Sequence, residues 1–362
     1  MSKYKRVAVG ISGGVDSAMA AYLLKRDGYE VIGLTMAIWD DSIPIKESTK
    51  SGCFGPGEKE DLEAAVALCK KMGIEHHIIR LKDEYRDNVL AYFCGTYIEG
   101  KTPNPCLRCN ARIKFGLLPQ KAKAQGIEFE YFATGHYVQL GYDEANCRYQ
   151  LMKAVDSSKD QSYFLSFLSQ EQLSNLIFPL GAKTKPEIKA LAKELGFGEL
   201  ADKKESQDFL ESDDLSVLFS GDSYFPGEIV DIDGKVLGTH TGIINYTIGQ
   251  RRNLGISGQS EPYYVIELDA ANNKVVLGPK QYLYSKKCIA TNINWLSIPC
   301  PQTKFTAQAK IRLQHKAAEC QITPLADNSL RVEFKEVQLS ITPGQGIVFY
   351  DKDIVLAGGI IQ

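Results

Sequence analysis

The 362 residues of this chain are too many for one small hydrophobic core, so two or three domains are expected. The 42 basic and 44 acidic residues nearly cancel, and the overall charge therefore gives no sign of a nucleic-acid partner. No apolar run is long enough to span a bilayer and no secretory leader is visible, which predicts a cytoplasmic protein without a membrane partner. Its nine cysteines are then expected as thiols and not as a disulfide framework.

The first predicted unit, Val7–Ser17 and the residues after it, consists of an apolar strand, a turn of small residues and a helix that runs to about Lys25. Glycines let a ligand approach the backbone, and hydroxyls and the N–H groups of a helix start are donors for an anion. These residue types follow one another in the turn: Ser12, Gly13, Gly14 and Ser17. Asp16 is a candidate magnesium ligand. The alternative is a plain strand-to-helix turn, and the Gly-Lys-Ser/Thr ending of the common P-loop is missing.

Strands and helices alternate along the next 120 residues, which favours a parallel sheet covered on both faces. Further strands are predicted at Glu30–Met36, His77–Leu81 and Tyr131–Tyr137, helices at Glu60–Met72 and Tyr85–Tyr97, and a loop at Asp40–Gly57. Ligands bind outside the carboxyl ends of such strands. Met36 is therefore either a wall for an adenine ring beside the Ser12–Ser17 turn or a plain core residue.

A segment with two prolines, Gly100–Asn110, carries Cys106 and Cys109. The prolines predict a loop, with a helix opening only at its end, and Pro119 is expected to end or kink that helix. Two thiols at this spacing have three interpretations. They are half of a zinc site, although no second pair follows; a redox pair, although the flanking residues do not match; or a site that holds or transfers sulfur.

The second half of the chain changes in character. Lys185, Lys189 and Lys193 share one face of a predicted helix, which is either a basic surface or an ordinary solvated face. Short β-rich runs begin at Phe225, and from Ser285 they predict a small β-barrel.

The stretch Ala270–Ala318 contains no acidic residue. Its basic residues are Lys274, Lys280, Lys286, Lys287, Lys304, Lys310, Arg312 and Lys316. A stretch of one sign indicates a phosphate-rich partner, unless acids from other segments balance it in space.

Nine strings spread in order along the chain carry a family resemblance. They are Gly10–Ser17, Thr102–Pro105, Cys109–Asn110, Ile113–Phe115, Ala133–Tyr137, Lys159–Leu165, Tyr246–Arg252, Lys310–Arg312 and Thr342–Gln345. With them the chain resembles the bacterial tRNA-specific 2-thiouridylases of the PP-loop ATP pyrophosphatase superfamily. The resemblance implies an α/β fold with an adenine nucleotide alpha hydrolase-like parallel sheet at residues 1–210. A small tRNA-contacting domain at 211–284 and a C-terminal β-barrel at 285–362 follow it.

The implied activity replaces oxygen by sulfur at C2 of the wobble uridine, position 34, in tRNAs of the Lys, Glu and Gln type. ATP with Mg²⁺ adenylates the uracil O2, and AMP and pyrophosphate are released. Sulfur comes from a donor protein or from sulfide. The residues expected at the nucleotide are Gly10, Ile11, Ser12, Gly13, Gly14, Val15, Asp16, Ser17, Met36 and Gly135.

The resemblance also implies roles for residues that touch tRNA. Cys109 aligns with the nucleophile of the family, and Asn104, Pro105 and Cys106 would line the pocket of the extruded base. The residues expected to hold tRNA elsewhere are His136, Lys159, Asp160, Gln161, Arg312, Leu313 and Gln345, to which charge and context add Arg251 and Arg252.

Two positions depart from the family pattern. Leu210 stands where the family usually has its second cysteine, and Cys106 stands where it often has aspartate. We therefore hypothesise that Cys106 and Cys109 work together as catalytic residues, alongside Asp16. One version adds Cys53, so that three thiolates hold a [4Fe–4S] cluster with one open iron. In the other version, Cys106 takes over the role of the missing cysteine.

Two rival functions stay open at this point. One is a PP-loop ligase acting on a small metabolite, which leaves the acid-free stretch and the cysteines unexplained. The other is a tRNA-binding protein that has lost thiolation with its second cysteine, against which the intact Gly10–Ser17 string argues.

Overall fold

Five parallel strands form the centre of the N-terminal part in the computed structural model, which describes residues 5–45, 51–202, 208–219, 224–258 and 261–362. The strands are β1 (Arg6–Gly10), β2 (Glu30–Ala37), β4 (Glu75–Arg80), β5 (Tyr131–Ala133) and β8 (Leu176–Ile177). They pair in the order β4-β2-β1-β5-β8. Alternate residues of β1 enter two separate cores, with Ala8 beside Leu34 in one and Val7 and Val9 in the other. The predicted sheet with two covered faces is therefore confirmed.

Helices cover this sheet on both faces. Among the described residues they are α1 (Val15–Arg26), α2 (Glu58–Met72), α3 (Lys82–Tyr85), α4 (Ala91–Ile98), α5 (Pro105–Arg108), α6 (Leu118–Ala124), α7 (Gln170–Ser174), α8 (Lys185–Glu194) and α9 (Gly198–Asp202). Two π-helical segments span Arg86–Leu90 and Cys109–Leu117. Short 3₁₀ turns span Ser162–Leu165, Leu215–Leu218, Ile243–Asn245 and Lys280–Leu283. No helix in these described ranges has the length and apolarity needed to cross a membrane.

The two cysteines lie on a helix, so the predicted loop at Gly100–Asn110 is wrong in its second half. Pro105 is the first helical residue, a position where the missing N–H costs nothing. Asn104 caps the turn, because its side-chain oxygen accepts a hydrogen bond from Leu107 N at 3.3 Å. Pro105, which was interpreted as part of a helix-breaking pair, is in the structure the residue at which the helix begins.

The same helical run continues past Pro119, which neither ends it nor opens a gap in it. In a regular helix the carbonyl of Phe115 would accept the N–H of residue 119, which proline lacks. The side-chain amide of Gln172 supplies the hydrogen bond instead, at 3.1 Å from Phe115 O and 2.9 Å from Ala111 O. The two carbonyl groups in the π-helical segment before Pro119 thus accept hydrogen bonds from a side chain outside the helix.

The predicted loop at Asp40–Gly57 contains a short strand that the sequence analysis missed. This strand, β3 (Gly52–Phe54), pairs in parallel with β9 (Asp208–Leu210), with Phe54 opposite Leu210. Of the segment compared with the family's second cysteine, Lys204–Gln207 lies outside the described residues.

The central part is a four-stranded sheet within the described residues 224–258 and 261–279. Its strands are β10 (Gly227–Asp231), β11 (Val236–His240), β12 (Tyr263–Asp269) and β13 (Lys274–Pro279). They pair in the order β11-β10-β13-β12. The expected change to β structure after Phe225 is confirmed.

Residues 284–361 form the predicted β-barrel. Its strands are β14 (Tyr284–Trp295), β15 (Phe305–Lys310), β16 (Ala318–Pro324), β17 (Leu330–Leu339), β18 (Gly346–Asp351) and β19 (Ile354–Ile361). Pairing of β14 with β19 closes the six strands. A hairpin of the first part, β6 (Val138–Asp143) and β7 (Arg148–Lys153), joins the barrel at β19. Arg148 reinforces this junction by donating to Trp295 O at 2.7 Å.

Candidate active site

The turn after β1 is shaped by its own hydroxyl groups. Ser17 Oγ accepts from Ser12 N at 3.2 Å and donates to Gly14 O at 3.0 Å. Gly13 has a φ of +72°, in the left-handed region that favours glycine. Gly14 offers no side chain to cap α1, so the N–H groups of its first turn are left for an anion. These donors suit an anion, and phosphate binding here stays a prediction. We call Ser12–Ser17 the phosphate-binding turn for this predicted role.

Gly135, just after β5, closes on the same turn. A β-carbon at residue 135 would lie 2.7 Å from the backbone carbonyl carbon of Asp16, so only glycine allows this approach. Gly10, Met36 and Gly135 stand at or just beyond the carboxyl ends of three neighbouring strands. This is the edge where ligands bind in parallel sheets. Their contact with a nucleotide stays a prediction.

The carboxylate of Asp16 is held by two side chains. Lys185 Nζ lies 2.8 Å from Oδ1 and 2.7 Å from Oδ2, and Tyr137 donates its hydroxyl to Oδ1 at 2.7 Å. The Lys185 side chain is only 7% exposed. A buried cation therefore faces the residue that the sequence predicted as a magnesium ligand.

Sequence reasoning missed Lys185, because it grouped this residue with Lys189 and Lys193 on one helix face. The capping box of Thr184 and Glu187 was the available signal. It places Lys185 at the first helical position, where its direction differs from that of the later turns.

Cys106 and Cys109 are partly buried thiols, one on α5 and one at the start of the π-helical segment. Burial raises the pKa of Cys106 to about 11 and that of Cys109 to about 12. The nearby ammonium of Lys114 lowers the pKa of both thiols but does not outweigh burial. Both groups are thus protonated at neutral pH, and either must lose its proton before it can act as a nucleophile.

His136 lies between the phosphate-binding turn and the helical segment that begins at Cys109. Its ring lies 5.4 Å from the ring of Phe115, and its Nδ1 lies 2.8 Å from Thr134 Oγ1. Burial, with a smaller contribution from the Lys114 charge, holds the pKa of His136 well below its usual range, so the ring is neutral. Gly135 thus touches the Asp16 turn, and His136 touches Phe115 in the helical segment that begins at Cys109. That the turn and the thiols form one site stays a prediction.

The barrel fixes the chain just before the cysteines. Gln345 donates its side-chain amide to Thr102 O at 3.1 Å and Pro103 O at 3.2 Å. Thr102 N donates to Pro343 O at 2.8 Å. Gln345 was predicted to hold tRNA; in the structure it orients the Thr102–Asn104 segment, and a tRNA contact stays a prediction.

Other residues predicted to hold tRNA are also engaged within the protein. Asp160 accepts from Ser162 Oγ at 2.9 Å, and Gln161 accepts from Tyr137 N at 2.9 Å. Arg312 donates to Leu339 O at 3.1 Å. Arg251 and Arg252 are exposed, Lys159 is half-buried, and half-buried Leu313 packs against a hydrophobic core.

The acid-free stretch is partly balanced by acids from other segments. Lys274 lies 2.9 Å from Glu228, and Lys287 lies 3.3 Å from Glu333. For these two lysines, acids from other segments balance the charge, as the alternative interpretation holds. The positive charge available to phosphates is therefore smaller than the sequence alone indicates.

The structure gives no geometric support to a metal centre. Within residues 5–45, 51–202, 208–219, 224–258 and 261–362, no three His, Cys, Asp or Glu side chains are placed to hold a metal ion. Cys53 is exposed whereas Cys106 and Cys109 are partly buried. The iron–sulfur hypothesis for these three cysteines stays a prediction, and no step below uses it.

Three family models match the chain in succession. They are described as a tRNA methyl transferase HUP domain (residues 5–210), a tRNA methyl transferase PRC-barrel domain (220–279) and an aminomethyltransferase beta-barrel domain (285–361). The parallel sheet and its glycine-rich turn thus define a HUP-type α/β protein of the PP-loop class.

Full-length relatives specify the family. The tRNA-specific 2-thiouridylase MnmA of Endomicrobium trichonymphae is 47% identical over 100% of both chains. The protein of the same name from Geotalea uraniireducens is 45% identical over 100% of this chain and 96% of its own. The tRNA-specific 2-thiouridylase MnmA 2 of Thermoanaerobacter sp. (strain X514) is 46% identical over 99% and 98%. The chain belongs to the tRNA-specific 2-thiouridylase family.

Proposed function

We propose that this chain exchanges oxygen for sulfur at C2 of the wobble uridine of tRNA, with ATP as the activating substrate. One observation carries the proposal: Gly135 and His136 link a phosphate-binding turn directly to a helix with two thiols. A ligase that acts on a small metabolite would leave these two thiols without a role. The family membership reported above supports the same reaction.

The phosphates of ATP would bind at the turn after β1. Its donors are the N–H groups at the start of α1 and the hydroxyls of Ser12 and Ser17. A magnesium ion held by Asp16 would neutralise phosphate charge. Lys185, paired with Asp16, offsets the charge of that carboxylate beside the phosphates. These residues suit a triphosphate and leave the base end of the nucleotide near Met36.

Adenylation converts the uracil O2 into a leaving group, because AMP departs far more readily than oxide. A sulfur nucleophile then attacks C2, and two easier steps replace one difficult step. The uracil must leave the anticodon stack, at a cost of a few kcal/mol. Asn104, Pro105 and Cys106 would line its pocket, and the barrel holds this segment in place through Gln345.

The tRNA body would lie on exposed and half-buried residues outside this pocket, most of which are basic. Arg251 and Arg252 in the central part and Lys159, Arg312 and Leu313 beside the barrel are the contacts we propose. We expect tRNAs of the Lys, Glu and Gln type as substrates, and a persulfide protein or sulfide as the sulfur source.

The proposal is tested with unmodified tRNA that carries a wobble uridine, ATP, Mg²⁺, glutathione persulfide and a dithiol reductant. We expect tRNA-dependent release of AMP and formation of 2-thiouridine by the wild type. Cys109→Ser should release AMP but form no thiouridine. An equal rate of AMP release with and without tRNA would favour the small-metabolite ligase. Binding of tRNA without AMP release would favour a protein that has lost thiolation.

A further inference from the structure

Cys53 is a thiol to which the proposed reaction assigns no role. It lies in β3 between two buried residues, Gly52 and Phe54, and its own side chain is exposed. Strand β3 pairs in parallel with β9, with Phe54 opposite Leu210. Cys53 therefore lies beside the strand in which Leu210 stands at the position of the second cysteine. Leu210 itself is 3% exposed, so that position is part of the core.

Packing holds Cys53 in place from both sides. A β-carbon at Gly52 would lie 2.7 Å from the carbonyl carbon of Leu210, so β3 and β9 are in close contact. The ring of Phe54 stacks on that of Tyr85 with 5.3 Å between centroids. Glu211 N donates to Phe54 O at 3.1 Å and extends the pairing beyond β9. The backbone at Cys53 is thus part of a fixed element.

The thiol of Cys53 shares its surroundings with the two cysteines of the helix. Tyr85 is buried, and the thiolates of Cys109, Cys53 and Cys106 add to burial in raising its pKa. A thiolate at Cys53 likewise raises the pKa of Cys106 and of Cys109. Cys109 packs against the hydrophobic core that contains Phe54 and Tyr85. Cys53, next to Phe54 in the chain, and Cys109 therefore border the same core, and Cys53 is the more exposed of the two thiols.

We propose that Cys53 receives sulfur from an external persulfide and passes it to Cys109, an inference that rests on the proposed function. An external donor reaches an exposed thiol more easily than a partly buried one. Cys109, beside the helical segment that lines the base pocket, is the thiol that can deliver sulfur to the uracil. Cys53 thus accepts sulfur from the donor, and Cys109 delivers it to the uracil.

Sulfur moves in two exchanges that change no overall oxidation state. The Cys53 thiolate attacks the outer sulfur of a persulfide R–S–SH, and the donor leaves as a thiol. The Cys109 thiolate then attacks the outer sulfur of the Cys53 persulfide, and Cys53 leaves as a thiolate.

The Cys109 persulfide completes the reaction. Its outer sulfur attacks C2 of the adenylated uracil, and AMP leaves. The Cys106 thiolate attacks the inner sulfur of Cys109, so that a Cys106–Cys109 disulfide forms and the thiolated base is released. A dithiol reductant, itself oxidised to a disulfide, restores both thiols.

Persulfide mapping tests the first exchange without any tRNA. Wild type, Cys53→Ser, Cys109→Ala and the control Cys300→Ser, which removes another exposed thiol, are treated with glutathione persulfide, alkylated and analysed by mass spectrometry. We expect persulfide to remain on Cys53 in Cys109→Ala. The initial rate at Cys109 should fall at least about tenfold in Cys53→Ser and stay unchanged in the control. Labelling of Cys109 at the wild-type rate in Cys53→Ser would overturn the proposal.

Thiolation with two sulfur sources tests the role of Cys53 in turnover. With glutathione persulfide, Cys53→Ser and Cys53→Ala should form thiouridine at least about tenfold more slowly and still release AMP. With sodium sulfide both variants should match the wild type, because sulfide needs no carrier. Loss of AMP release in both variants would overturn the proposal, since the thiol would then support the fold. If wild type itself releases no AMP, the proposed function fails, and the mapping experiment still decides whether Cys53 receives sulfur.

Discussion

Lys185 and Asp16 form an ion pair across the phosphate-binding turn, with Nζ 2.8 Å and 2.7 Å from the two carboxylate oxygens. The lysine opens α8 and the aspartate lies in α1, 169 residues earlier in the chain. The pair joins two helices on one face of the sheet and keeps a cation beside the first N–H groups of α1. An anion that binds the turn therefore meets the positive end of α1, and Lys185 offsets the negative charge that Asp16 would otherwise present to it.

Replacing Lys185 by methionine should affect both stability and activity. The change leaves the Asp16 carboxylate without its buried partner, which costs about 3–5 kcal/mol in the free energy of unfolding. Loss of a preorganised charge near the phosphates should lower AMP release about 10²-fold. Urea unfolding and AMP release measure the two effects. The control is Lys193→Met on the same helix, whose exposed pair with Asp202 contributes little. Equal AMP release by Lys185→Met and the control would contradict a role at the phosphates.

Replacing Gly135 by alanine should separate the two backbones that meet at the turn. The new β-carbon would lie 2.7 Å from the carbonyl carbon of Asp16, so one segment must move. We expect AMP release to fall about tenfold or more, because small displacements of positioned groups are costly. Gly95→Ala is the matched control, since a β-carbon there meets nothing within 4 Å. A wild-type rate of AMP release in Gly135→Ala would show that the close contact is not needed.

Most strands of the parallel sheet and the barrel could be predicted because their signals are local, but β8 and β14 were missed. Apolar runs such as Val7–Val9 and turns at regular spacing identify strands without knowledge of their partners. The strand, glycine-rich turn and helix at Val7–Lys25 were also predictable, since the glycines and hydroxyls of the turn follow one another in the chain. The strand β3 was not, because three residues carry no periodicity and their partner β9 lies about 150 residues away.

The site residues were harder to predict from the sequence because several of them fit two interpretations. Pro105 reads as a helix breaker or as a first helical residue, and only the Asn104 cap decides between the two. Lys185 reads as surface from its spacing, and its burial against Asp16 arises from packing of α8 on α1. Charge and spacing alone could not show that Gln345 and Asp160 bond to the protein's own backbone and hydroxyls.

The Gln172 side chain and Pro119 should be coupled in stability. Gln172→Leu removes the donor to Phe115 O and Ala111 O, which should cost about 1–3 kcal/mol in the free energy of unfolding. Pro119→Ala restores an N–H that can bond to Phe115 O, so the cost of Gln172→Leu should be smaller in that background. Urea unfolding of the two single variants and the double variant measures the coupling. Additive effects would show that Gln172 does not replace the missing proline hydrogen bond.

The pH dependence of thiol alkylation should reveal the buried state of Cys106 and Cys109. Their pKa values of about 11 and 12 mean that the thiolate fraction, and with it the iodoacetamide rate, rises about tenfold per pH unit from pH 7 to 10. The unfolded chain ionises these thiols at lower pH than the folded chain. Their contribution to stability is therefore intact below the ordinary thiol pKa and is lost as pH rises towards 11 and 12.

Lys114→Met should shift that alkylation profile to higher pH. The ammonium of Lys114 lowers the pKa of Cys106 and of Cys109, so its loss leaves burial unopposed. We expect both thiols to react about threefold to tenfold more slowly at pH 8, and thiouridine formation with persulfide to slow in proportion. Lys123→Met is the control, because that lysine is exposed and lies 4.9 Å from the ring of Phe129. An unchanged profile in Lys114→Met would show that no charge from Lys114 reaches the thiols.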